Sequence, residues 1–174
     1  TTDTLTGVNL NGTSVVKAYL VWAGLGRDNQ IQFQRVGGTA QTITADRIWN
    51  NDTFAADTWN CCGNELSVYA TDITATGIVA VGNNSYTISD MSIEHTIGGG
   101  TPTEENWGFS LIVVYEDPSL VNARSVVIKL GNDGFFYNWI GLLGPHSDVQ
   151  CYAFNPVNVE RVISYSVIVG GVEN

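Results

Sequence analysis

Apolar and polar positions alternate in short runs along most of this chain, and Gly, Asn and Asp separate the runs. Residues 15–23 open the series, with Val16, Ala18, Leu20 and Trp22 on one face of a strand and Val15, Lys17, Tyr19 and Val21 on the other. Gly24-Leu25-Gly26 ends that run. Residues 31–36 alternate apolar with polar, as a half-exposed strand does, and residues 39–45 follow the Gly37-Gly38 turn as another β-prone run. Further strands are predicted at 65–70, 78–81, 86–91, 125–130 and 162–169. The run from Trp107 to Tyr115 is almost wholly apolar, rich in β-branched and aromatic side chains, and stops at Glu116-Asp117-Pro118. It reads as a strand buried on both faces. Residues 72–77 predict one helical turn, started by Asp72 and stopped by Gly77.

Two stretches break the alternation. Residues 47–64 hold Trp49, Phe54, Trp59 and the adjacent pair Cys61-Cys62. Residues 131–158 hold Pro145, Pro156, several aromatics and Cys151. Both read as long irregular loops, of a length that is usually functional or packed against something. No stretch sustains a helical period with caps. Eight to ten short strands between Gly/Asn/Pro turns therefore predict an all-β fold, a β-sandwich of jelly-roll type with two long irregular loop regions. No linker divides it: residues 15–174 read as one domain, preceded by a polar, strand-capable segment at 1–14.

Composition sharpens this picture. The chain has 174 residues, 44% of them hydrophobic, enough to bury a core. Only 14% are charged, against about 25% in ordinary soluble domains. Lys occurs only as Lys17 and Lys129, while Gly, Thr, Asn and Val are frequent. That balance fits an extracellular or cell-surface protein. The net charge of −10 disfavours nucleic acid and anionic membrane as partners. No apolar run approaches the roughly 18 residues that would insert in a membrane as a helix. The start, Thr1-Thr2-Asp3-Thr4, suits a mature form after signal removal or a fragment of something longer.

Several phrases, in order, resemble a β-rich domain of large bacterial and archaeal cell-surface proteins. They are Val16-Lys17-Ala18-Tyr19-Leu20-Val21-Trp22-Ala23-Gly24, then Thr44-Ala45-Asp46-Arg47, then Tyr69-Ala70-Thr71-Asp72-Ile73-Thr74. Asn84-Ser85-Tyr86-Thr87-Ile88 comes next, and the run from Trp107 to Pro118 completes the set. The similarity covers about residues 15–135 and leaves out the vicinal cysteines and the stretch after Asn132. It implies a secreted or wall-associated structural module and carries over no catalytic residue.

Searching the residues for chemistry gives little that demands an enzyme. His95 and His146 stand alone, without zinc-ligand spacing. Ser110 lies in a strand and lacks the second Gly of a nucleophile elbow. Glu104-Glu105 reads as a solvated turn, and Glu116-Asp117 as the start of one. Calcium is the metal considered: Asp46, Asp52, Asp57 and Asp72 flank an Asn-rich loop, and Asn132-Asp133 is a second place for it. Asn11, Asn51 and Asn83 begin glycosylation sequons. Vicinal cysteines rarely bridge each other, so a disulfide would join Cys151 to Cys61 or to Cys62, leaving one thiol free or paired with another chain.

Two functions fit this set. The first is an extracellular structural subunit of a surface filament, pilus-like fibre or surface layer. It would be a homopolymer joined by strand exchange or edge pairing, and by an intersubunit disulfide through Cys61, Cys62 or Cys151. The second is an adhesin-like module binding glycans or a surface partner through Trp49, Trp59 and Trp139. No catalytic residue is expected in either.

Overall fold

A computed structural model describes residues 2–25, 28–49, 60–61, 64–91, 105–121, 125–131 and 151. Nine strands form there: β1 Thr2–Leu10, β2 Ser14–Leu25, β3 Gln30–Arg35, β4 Gln41–Thr44, β5 Arg47–Trp49, β6 Asn60–Cys61, β7 Asn64–Asp72, β8 Gly82–Ser89 and β9 Glu105–Glu116. A single 3-10 turn at Thr74–Thr76 is the helical element among them. All pairings are antiparallel. One sheet has the order β1-β8-β3-β4; the other has the order β5-β7-β2-β9, with β6 paired to β7. The fold is the all-β, sandwich-like one that the alternation predicts. The chain crosses between the sheets from β1 to β2, β2 to β3, β4 to β5, β7 to β8 and β8 to β9.

Period-two alternation builds the core between the sheets. β2 contributes Ala18, Leu20 and Trp22; β3 contributes Ile31 and Phe33; β8 contributes Tyr86 and Ile88. Trp22 stacks on its cross-strand partner Tyr69 with ring centroids 5.5 Å apart, and Phe33 stacks on Tyr86 at 5.8 Å. Each buried ring or branched chain stabilises the fold by about 1.5–3 kcal/mol relative to exposure. Trp22 and Tyr69 also close the end of the core with their polar tips. The Trp22 indole N–H donates to the Asp28 carbonyl at 2.8 Å, and the Asp28 amide donates to the Tyr69 hydroxyl at 2.9 Å.

Several elements depart from the sequence reading. Strict alternation puts Val16 on the same face of β2 as Ala18, Leu20 and Trp22. The register against β9 slips between Val15 and Lys17, so Val15 packs on the core and Val16 is 45% exposed. The extra residue is a β-bulge, which flips the face of everything before it. Residues 78–81 form no strand, although Ile78 and Val79 are buried. Side chains satisfy their main chain instead: the Ile78 amide donates to the Thr76 hydroxyl, the Ala80 amide to the Tyr86 hydroxyl, and the Asn84 carboxamide to the Ala80 and Val81 carbonyls. Residues 125–130 are also without a strand, and Val126 and Val127 are exposed. β-Propensity needs a neighbouring strand to act on, and among the described residues none pairs with them. The stretch at 47–64, read as one loop, begins with β5 and includes β6. The strand at 162–169 and most of the loop at 131–158 lie outside the described residues.

β9 also differs from a strand buried on both faces. It ends its sheet among the described residues, pairing with β2 alone. Phe109, Leu111, Val113 and Tyr115 pack on the core, while Ser110, Ile112 and Val114 on the other face are half-buried.

Candidate functional site

β1 is the element whose chemistry points outward. Among the described residues it lies at the edge of its sheet, held by β8 in the register Thr2↔Ser89 to Leu5↔Tyr86 and Val8↔Asn84 to Leu10↔Gly82. The slip between Leu5 and Val8 is a bulge at Thr6-Gly7, and Gly7 takes φ +68°, a conformation that glycine reaches without strain. Only Leu10 is buried, and Val8 packs on the core; Thr2 through Gly7 are exposed. The first half of β1 is therefore held mainly by its main-chain ladder to β8.

The base of β1 is pinned more firmly. The Thr13 amide donates to the Glu116 carbonyl at 2.9 Å, and the Ser14 hydroxyl donates to the Glu116 carboxylate at 2.6 Å. A Cβ on Gly12 would overlap the Glu116 carbonyl oxygen and the Tyr115 ring. The turn from β1 to β2 thus locks onto the end of β9. Just beyond, Asp117 starts the turn expected of it at Pro118. Its carboxylate accepts from the Ser119 hydroxyl and amide, its carbonyl accepts from the Leu120 amide, and the Ser119 bonds hold its carboxyl below the usual range.

The expected site residues scatter. Asn11 is exposed in the β1–β2 turn, and Asn83 is exposed opposite Asn9, so these two sequons sit at one end of the same sheet. Asn51 lies outside the described residues. Trp49 is half-buried in β5 opposite Val68; Trp59 and Trp139 lie outside the described residues. Cys151 is exposed with a free thiol, Cys61 is placed in β6 by its main chain, and Cys62 lies outside. Of the four calcium candidates, Asp52 and Asp57 lie outside, Asp46 is exposed between β4 and β5, and Asp72 is engaged elsewhere. His95, His146, Glu104, Asn132 and Asp133 also lie outside. Among the described residues, no group of three His, Cys, Asp or Glu side chains is placed to hold a metal ion. Nor is any helix among them long and apolar enough to cross a membrane.

Asp72 has a role that the sequence reading caught only in part. The N-cap of the short turn is Ile73 and not Asp72 as the sequence predicts; Asp72 sits one residue earlier, and its Oδ1 accepts from the Thr74 amide at 2.9 Å and from the Thr74 hydroxyl. Gly77 closes that turn at φ +67°. What was missed is the Lys17 ammonium, 2.7 Å from Oδ2 across the β2–β7 ladder. Lys17, two places before the Asp72 partner Tyr19, was the signal available. The hydrogen bond from Lys17, then those from the Thr74 hydroxyl and amide, pull the Asp72 carboxyl down to about 2. The same partner raises Lys17. Both ions are thus fixed in their charged forms, which suits a strap between strands and not acid–base chemistry.

Against known proteins, no family model matches the chain, and neither a curated protein nor a solved structure matches it.

Proposed function

We propose that the chain is an extracellular structural subunit of a surface filament, pilus-like fibre or surface layer, assembling by pairing of sheet edges. The observation that supports this reading is the outer edge of β1. An edge strand offers a row of unpaired main-chain donors and acceptors, and proteins that must stay apart guard such edges with Lys, Pro, bulges or brevity. β1 is nine residues long and contains neither Lys nor Pro. Its one bulge falls at Thr6-Gly7 and leaves Thr2–Leu5 straight and exposed. A neighbour's strand laid there would extend the sheet through main-chain bonds, and a head-to-tail contact of that kind propagates as a filament. The exposed thiol of Cys151 would serve a covalent link between subunits in the same scheme. The exposed sequons at Asn11 and Asn83 suit a secreted glycoprotein.

Leu5→Lys tests the reading. Leu5 is 38% exposed at the edge, so a Lys there costs the fold little while guarding the strand. Negative-stain microscopy of the purified protein should show polymers that Leu5→Lys abolishes, with circular dichroism unchanged. Monomers from both proteins, or identical polymers, would refute it.

A further inference from the structure

Among the described residues, the outward rows of the four-stranded sheet carry no charged side chain. Its side chains fall in rows set by the ladder. Thr2, Ser89, Gln32 and Thr42 stand opposite one another across all four strands. Thr4, Thr87 and Gln34 make the next row. Phe33, Ile43, Tyr86 and Ile88 of the same strands face the core, so alternation turns these hydroxyls and carboxamides outward. All seven are exposed or half-buried. Neither row holds an acid or a base, on a chain whose net charge is −10.

We propose that this face docks a second copy of the chain. The inference rests on the assembly reading above and adds a lateral contact to it: edges lengthen the polymer, and faces join polymers side by side. Two acidic molecules repel wherever their carboxylates meet, and least where neither presents charge. Docking about a two-fold axis brings the patch against its own copy, so a group on the axis meets its own kind and the rows around it meet one another. A carboxylate facing its copy repels, whereas a hydroxyl or carboxamide both donates and accepts and so can pair with its copy. The rows are already ordered. The Gln32 carboxamide donates to the Thr42 hydroxyl at 2.8 Å, the Gln30 carboxamide to the Thr44 hydroxyl at 3.0 Å, and the Thr4 and Thr87 hydroxyls lie 3.3 Å apart. Less side-chain freedom is then lost on docking. Neutral hydrogen bonds gain little when they replace water, so a single pair of copies associates weakly, and the contact tells when repeated along a polymer.

The test compares the wild-type protein with Thr87→Lys and Gln32→Lys on the face, and with Thr39→Lys on the exposed turn between β3 and β4. Every one of these makes the net charge less negative, so a general charge effect would strengthen association in all. Sedimentation and electron microscopy should show wild type and Thr39→Lys as bundled or layered polymers. The two face variants should stay as single polymers, with lateral association weakened at least about tenfold. Bundling by Thr87→Lys equal to that of wild type overturns the proposal. Single, unbundled wild-type filaments overturn it too and leave edge pairing standing, whereas wild-type monomers at every concentration overturn both. Loss of binding to an insoluble neutral polysaccharide by Thr87→Lys, with bundling intact, would assign the face to a glycan and also overturn it.

Discussion

The Asp72 carboxylate receives three donors, the Lys17 ammonium and the amide and hydroxyl of Thr74, and together they tie β2 to the turn after β7. Its folded value of about 2 lies below the ordinary 3.8. Stability from this group is therefore complete above the unfolded value and is lost as pH falls through the folded one. Asp72→Asn is expected to lower the melting temperature slightly at neutral pH, and the gap from wild type should close between about pH 4 and about pH 2. The effect is small and shrinks in salt, because half of the Lys17 side chain, 49%, is in solvent. Thermal melts followed by circular dichroism across that range measure it. Ser67 offers the opposite case. It is fully buried opposite Gly24, and among the described residues its hydroxyl has no hydrogen-bond partner. A buried unmade hydrogen bond costs about 1–3 kcal/mol, so Ser67→Ala should leave stability unchanged or raise it by about 1 kcal/mol in urea unfolding. A loss of more than that would mean the hydroxyl has a partner. The turn and its Gly77 stop were legible, though its cap falls at Ile73 and not at Asp72; Ser67 was not, because a lone Ser in a strand pattern does not say which face it takes.

At the scale of elements, alternation predicted the strands well where they are regular and failed where the register slips. β3, β4, β7 and β8 lie within a few residues of their predicted bounds. The bulges at Val16, at Thr6-Gly7 and between Trp22 and Gly24 were invisible, because a bulge is a property of two strands and the sequence shows one at a time. β5 was missed because a three-residue strand is too short for a period to register. The edge position of β9 was missed for a related reason: apolar residues on both faces look like burial, and sheet order is a long-range fact. The turn between β1 and β2 carries its own prediction. Since a Cβ at Gly12 would meet the main chain of Glu116 and the ring of Tyr115, Gly12→Ala should destabilise the fold by about 1–3 kcal/mol. Urea midpoints measure this, and a neutral result would show that β9 yields there. The same pinned turn keeps β1 in place when Leu5 is changed, which makes Leu5→Lys a clean probe of the edge.

Across the whole molecule, a strongly acidic chain presents one sheet whose outer rows are neutral and whose edge strand, among the described residues, carries neither Lys nor Pro. The sequence made the sandwich and the low charge legible, but not where the charge is missing, since that depends on which strands lie side by side. Edge pairing through β1 is the central claim, and amide hydrogen exchange tests it most directly. Every second residue of an edge strand turns its N–H away from the sheet, where only a neighbour can protect it. Assembled protein should show slowed exchange within Thr2–Leu5 relative to dispersed protein, while the exposed turn at Gly37-Gly38 exchanges equally in both. Equal exchange within Thr2–Leu5 in the two states would contradict the account.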